Sequence, residues 1–177
     1  MANFLDAFKL VIKNEGGYVN DPDDTGGETY KGVARNMNKA WPGWTNVDLL
    51  KKKSGFPASL EKDIELQMHV ENIYKEKYWD PVDGDDIKSQ EVAFSLFDFA
   101  VNAGVKTSIK LAQIVLDVEA DGVMGPATLS KINTMEDDHF LAAFTVAKIV
   151  RYYKICESRP INRKYFYGWV RRALNLK

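Results

Sequence analysis

Apolar residues recur at helical spacing through most of the chain, and only one stretch breaks that rhythm. Residues 3 to 15 read as a helix, with Asn3 as N-cap, Asp6 in the first turn, and Phe4, Phe8, Val11 and Ile12 on one stripe. Gly16-Gly17 ends it. From Tyr18 to Val33, short β-favouring pieces alternate with Asn20-Asp21-Pro22-Asp23-Asp24 and Gly26-Gly27, the chemistry of tight turns and a small β-hairpin. A turn at Trp41-Pro42-Gly43-Trp44, a short helical piece from Val47 and a loop over 54 to 58 come next. Ser59 then caps a longer helix that stops before Asp80-Pro81. Residues 91 to 103 are apolar on nearly every side, which predicts a helix buried through the centre of the fold. Further helices are predicted at about 107 to 118, at 126 to 133 with Pro126 in first position, and at 138 to 157. Pro160 breaks the last of these, and a final amphipathic helix sets Tyr165, Phe166, Trp169, Val170 and Ala173 on one stripe. The class is all-α with a minor β element, and no internal repeat is present.

Composition narrows the picture. At 177 residues the chain is one compact domain or two small lobes, long enough to bury roughly 70% of its unfolded surface without metal or disulfide. Cys156 is the single cysteine, which excludes an intrachain disulfide framework. No uncharged run exceeds nine residues, well short of a membrane span. Asp6 and Lys9 fall where a secretory signal would be apolar, so the sequence predicts synthesis in the cytoplasm without a cleaved signal. The net charge of −1 conceals a polarity: residues 1 to 138 carry 15 basic and 24 acidic side chains, and residues 139 to 177 carry 9 basic and 1 acidic. A uniformly basic nucleic-acid binder is excluded, and no nucleic-acid partner is expected. The basic end, interleaved with Tyr152, Tyr153, Tyr165, Tyr167 and Trp169, is either a steering surface for an anionic polymer or a solvated helix face.

The densest cluster of chemical groups runs from Glu15 to Tyr30. Glu15 is predicted on the last turn of the first helix, four residues after Val11 and beside the negative end of the helix dipole. Both effects favour the protonated carboxyl, the form a general acid needs. Gly16 and Gly17 would let a polymer approach closely. The alternative is an exposed helix-end glutamate followed by a glycine cap. Asp24, nine residues on across a turn-rich segment, can face Glu15 over a cleft as a second carboxylate. Asp21 and Asp23 compete for that role but flank Pro22 as turn residues. Thr29 could hold a water by its hydroxyl, and Tyr18 and Tyr30 flank the carboxylates as candidates for stacking on sugar rings. Asp98 and Asn102 share a face of the apolar central helix, either as a buried hydrogen-bond network or as substrate contacts.

Glu15-Gly16-Gly17-Tyr18, Val19-Asn20-Asp21-Pro22, Gly26-Gly27-Glu28-Thr29 and Gly32-Val33 together resemble the motif of glycoside hydrolase family 108, bacterial and phage N-acetylmuramidases also called secretion activators. Phe97-Asp98, Ala100-Val101-Asn102 and Gly104, then Asp121-Gly122, Gly125-Pro126, Thr128-Leu129, Arg159-Pro160 and Gly168-Trp169 are similar to the peptidoglycan-binding segment that follows in that family. The resemblance implies a lysozyme-like fold of two helical lobes, with residues 1–88 as the catalytic lobe and 89–177 as the peptidoglycan-binding one. It implies hydrolysis of the β-1,4 bond between N-acetylmuramic acid and N-acetylglucosamine, with Glu15 as the catalytic glutamate. The order Glu15, Asp24, Thr29 also resembles the catalytic triplet of phage-type lysozymes, whose threonine stands one residue further on. Gly16, Gly17, Tyr18, Asn20, Tyr30, Asp98 and Asn102 are the candidate substrate contacts.

Competing chemistries find less support. His69 and His139 have no ligand-spaced partners, so neither a metal nor any other cofactor is expected. Cys156 reads as a small core residue, and Lys51-Lys52-Lys53 as a solvated face. The alternatives to a muramidase are a lytic transglycosylase that uses Glu15 alone and a non-catalytic wall-binding or secretion-assisting protein. The partner is the peptidoglycan glycan strand, reached with the help of a holin-like or secretion partner.

Overall fold

Asn3 does open the first helix, α1 (Phe4–Ile12), its side-chain oxygen accepting from the Asp6 amide at 3.1 Å. The computed structural model describes residues 1–13, 15–21 and 25–174. These fall into two compact units, one spanning Asn3–Asp80 and the other running from Pro81 onward together with Met1–Ala2.

In the first unit, α1 buries Phe4, Ala7, Phe8 and Val11, the stripe its period predicts. Phe4 meets Trp79 edge-on at 5.7 Å and Phe8 meets Tyr74 at 5.5 Å. The helix ends at Ile12 with Lys13 as its cap, three residues earlier than the pattern predicts. Asparagine and paired glycine are among the weakest helix formers, and nothing apolar follows Ile12 to hold another turn. A three-stranded antiparallel sheet replaces the expected hairpin: β1 (Tyr18–Val19), β2 (Thr29–Tyr30) and β3 (Val33–Ala34), in that order. Tyr18 pairs with Tyr30, and Tyr30 with Val33, so Lys31-Gly32 forms a two-residue turn whose φ angles are +43° and +73°. Two positive φ values in succession suit the right-handed twist of a hairpin.

α2 (Gly43–Leu50) starts directly after Pro42, earlier than the predicted Val47, and buries Trp44 and Val47. The expected Ser59 cap is not used. Ser59 lies in a short 3₁₀ turn (Ala58–Lys62) around buried Leu60, and Asp63 caps α3 (Ile64–Tyr74) by accepting from the Leu66 amide at 2.8 Å. α3 runs on into a π-turn (Lys75–Trp79) that ends with the fully buried Trp79.

The second unit is helical. Ser89 caps α4 (Gln90–Ala103), which buries Val92, Ala93, Leu96, Phe97, Phe99 and Ala100 as its all-round apolarity predicts. Gly104, at φ +91°, turns the chain into α5 (Val105–Val115), where Ser108 donates to the Leu96 carbonyl at 2.8 Å. Buried Gln113 organises the following turn, donating to Asp121 and to the Val123 carbonyl and accepting from the Gly122 amide. α6 (Pro126–Ile132) begins at Pro126, and α7 (Asp137–Ser158) brings Phe140, Phe144 and Tyr152 to the core beside Phe99. α8 (Arg163–Ala173) lays Trp169 5.3 Å from Tyr152. Cys156 is buried. Among the described residues, no helix is long and apolar enough to cross a membrane.

One cation interrupts this core. Lys148, 5% exposed, donates to Ser95 at 2.8 Å and lies 4.5 Å from the Phe144 ring centroid. Burial pushes its ammonium pKa down to about 8, against a raising influence of Asp98 and with a further lowering one of Arg172. An unfolded lysine titrates near 10.4, so between about pH 8 and 10 the unfolded chain binds more protons and stability rises with pH. The full shift corresponds to about 3 kcal/mol. Urea midpoints measured from pH 7 to 9.5 should climb for the native sequence, and Lys148→Met should flatten that climb.

Candidate active site

Glu15 sits just past α1, its amide donating to the Ile12 carbonyl at 3.2 Å. It is only partly exposed, and its carboxylate packs against the Lys31-Gly32 turn. A β-carbon at Gly32 would lie 2.9 Å from Glu15 Oε2 and 2.6 Å from the Tyr74 hydroxyl. Position 32 therefore needs glycine twice over, for its φ of +73° and for its space. The Tyr74 hydroxyl donates to the Lys31 carbonyl at 3.0 Å, which fixes the turn from the α3 side. Tyr78, one helical turn on with its ring 5.6 Å from that of Tyr74, has its phenol pKa pushed up by burial and by the Glu15 charge. Glu15, Tyr74 and Tyr78 thus converge at one turn of the sheet.

The other candidates spread around this point. Gly16 and Gly17 are exposed, and a β-carbon at either would meet nothing within 4 Å among the described residues. Tyr18 is half-buried and donates to Glu28 at 2.7 Å, with its ring edge against Phe56. Burial first, then Glu28, pushes its phenol pKa up. Asn20 is exposed. Asp24 lies outside the described residues, as does Asp23. Thr29 donates its hydroxyl to the Gly27 carbonyl at 3.1 Å. Tyr30 is 1% exposed, donating to Glu61 at 3.2 Å and accepting from Gln67 at 3.0 Å, with burial raising its pKa to about 12. Its ring is a core element, and what it offers outward passes through Glu61. Asp98 and Asn102 belong to the second unit. Asp98 accepts from Arg172 at 2.8 Å, and Asn102 is exposed. Trp41, Trp44 and Trp79 are all buried.

The sequence reading missed the ionic frame around the sheet. Glu28, its side chain 9% exposed, meets Arg35 at 2.8 Å and also pairs with Lys51, which is therefore no mere solvated lysine. Arg35 adds a two-pronged bond to Asp48 and covers Trp44 at 4.4 Å. Lys31 reaches Glu61 at 2.7 Å and Gln67 at 2.7 Å. A Tyr-x-x-x-Tyr repeat at 74 and 78 was the available hint to the partners of Glu15. Among the described residues no group of His, Cys, Asp and Glu is placed to hold a metal ion.

The family model described as Glycosyl hydrolase 108 matches residues 8–104, and that described as Predicted Peptidoglycan domain matches residues 107–174. Among solved structures, the one titled Structure of Brucella abortus SagA is similar at 27% identity, covering 97% of this chain and 90% of that chain with a TM-score of 0.70. No curated protein matches.

Gly32→Ala should cost about 1–3 kcal/mol through backbone strain and overlap with Glu15 and Tyr74. Gly16→Ala, by contrast, should stay within about 0.5 kcal/mol of the native value or rise slightly. Denaturant unfolding of the two variants side by side checks the geometry, and equal losses would contradict it.

Proposed function

Because the chain belongs to the glycosyl hydrolase 108 family and carries a peptidoglycan-binding segment, it is a peptidoglycan hydrolase, and we propose that it is an N-acetylmuramidase with Glu15 as general acid. The scissile bond is the β-1,4 link between N-acetylmuramic acid and N-acetylglucosamine. Residues 1–88 form the catalytic lobe and 89–177 the wall-binding lobe. The observation that carries the reading is the seat of Glu15, a carboxyl held against a glycine turn and bordered by two tyrosines, with the exposed Gly16 and Gly17 beside it.

Protonated Glu15 donates to the glycosidic oxygen as the bond to the anomeric carbon breaks. Asp24 stabilises the oxocarbenium-like charge or activates water from the opposite face, and Thr29 helps to place that water. Inversion follows if the two carboxyls stand about 6.5 to 9.5 Å apart, which leaves room for the water. Tyr18 and Asn20 contact the sugars, and Tyr30 supports them from the core. Asp98 acts from within its own unit, tying α4 to α8. The enzyme reaches murein through a holin-like pore or a secretion partner, and the exposed basic side chains of the C-terminal helices, among them Lys154, Arg159, Arg163 and Lys164, steer it toward an anionic wall.

Reducing ends released from purified peptidoglycan test the assignment. Glu15→Gln should lose about 10³-fold in rate while keeping its unfolding transition, in keeping with the worth of a general acid. Asp24→Asn should also fall sharply. Full lysis by Glu15→Gln refutes the role of Glu15. Products ending in 1,6-anhydro sugars show a transglycosylase instead, and binding without cleavage shows a wall-binding protein.

A further inference from the structure

A pocket of about 640 Å³ opens within the first unit between the segment that follows β3 and the outer face of α3 with its π-turn. It shares Asn38, Ile73 and Lys77 with a small crevice that Gly32, Tyr74 and Tyr78 also line. Those last three residues border Glu15, so the pocket lies beside the turn that seats the proposed acid. At the junction the Lys77 ammonium is bonded to the side-chain oxygen of Asn38.

The lining is polar and charged over an apolar floor. Buried Trp41 and Ile73 form the floor, with the Trp41 indole N–H tied to the His69 carbonyl at 3.1 Å. Above them stand the amides of Asn38 and Asn72, two cations from Lys39 and Lys77, and one carboxylate from Glu76. The volume lies inside the roughly 300–1,000 Å³ typical of sites for small ligands.

A sugar strand alone does not account for two ammonium groups here. The N-acetylated sugars are neutral, and the lactyl carboxyl of muramic acid is consumed by its amide link to the peptide. The charge of peptidoglycan resides in the stem, a short peptide with several carboxylates and a free amine on its diamino residue. Lysines answer the first, Glu76 the second, and side-chain amides answer the peptide backbone.

Resting on the reading of Glu15 as the acid that cuts beside muramic acid, we propose that this pocket holds the peptide stem and makes the protein selective for stem-bearing glycan. Lys77 and Lys39 are its specificity-determining residues, placed to pair with stem carboxylates.

The test uses the full-length Glu15→Gln protein as a non-cleaving binder. Two probes are titrated into it: a disaccharide of N-acetylglucosamine and N-acetylmuramic acid carrying a tetrapeptide stem, and the same disaccharide with the stem replaced by a methylamide, which keeps the lactyl carboxyl neutral. The stem-bearing probe should bind about tenfold tighter, the yield of one or two charge-assisted hydrogen bonds. Adding Lys77→Gln, or Lys39→Gln on the opposite wall, should bring the two affinities to within about twofold of each other. Both lysines are exposed, so their removal leaves the fold intact. Equal affinity for both probes, or an advantage that survives both substitutions, overturns the proposal. Reducing-end release by the unsubstituted protein is measured on intact and stem-stripped strands in parallel. Stem-dependent binding with no release refutes the muramidase reading and keeps the pocket; release from both strands at equal kcat/KM refutes the pocket and keeps the muramidase.

Discussion

The missing side chain of Gly32 is the constraint around which the first unit is arranged. A two-residue turn brings the backbone to a point where the Glu15 carboxylate and the Tyr74 hydroxyl both stand within 3 Å of where a β-carbon would be. Three separate pieces of chain meet there: the segment beyond α1, the β2–β3 turn and α3. Any larger residue would push at least one of them away, and with it part of the candidate site. Lys31 takes part in the same bargain, holding a left-handed conformation that a lysine rarely adopts while its side chain is tied to Glu61 and Gln67.

A sheet of three two-residue strands has too few ladder bonds to hold itself. Its rigidity comes from side chains instead. Glu28 joins Tyr18, Arg35 and Lys51 on one flank, and Arg35 extends the tie to Asp48 and Trp44 on α2. On the other flank Lys31 and Tyr30 reach Glu61 and Gln67. Exposed ion pairs contribute little, but Glu28 is largely covered and is shared by two cations and a phenol, so losing it would break three ties of the sheet at once and leave Asp48 as the carboxylate beside Arg35 and Lys51. The second unit uses the same economy differently, with Lys148 set between aromatic rings and Arg172 bound to Asp98 in the gap between α4 and α8.

Local signals made much of this legible. Pro126 and the apolar runs of α4 and α7 marked those helices closely, because a fixed φ and periodicity act within a few residues. β3 escaped because two residues carry no period, and Asp63 was passed over for Ser59 because both precede plausible helix starts. The motif around Glu15 marked the proposed acid, yet the neighbours Tyr74 and Tyr78 lie some sixty residues away in the chain. The polar pair on α4 divided: Asp98 entered a part-buried ion pair, while Asn102 stayed at the surface, a distinction that only α8 decides. Lys51 and Lys148 show the same limit, since a lysine's partner is set by packing and not by its neighbours in sequence.

The π-turn at Lys75–Trp79 fits one more residue into its turn than a regular helix would. It lies between Tyr74, which holds the Gly32 turn, and Trp79, which fills the core beneath α1. Chain length in this segment is therefore as constrained as residue identity. Deleting one residue would restore an ordinary helix and rotate either the tyrosines or the tryptophan off its partner, whereas surface loops elsewhere can absorb such a change. Among related sequences, this short segment is where insertions and deletions should be least tolerated, even where its exposed side chains vary.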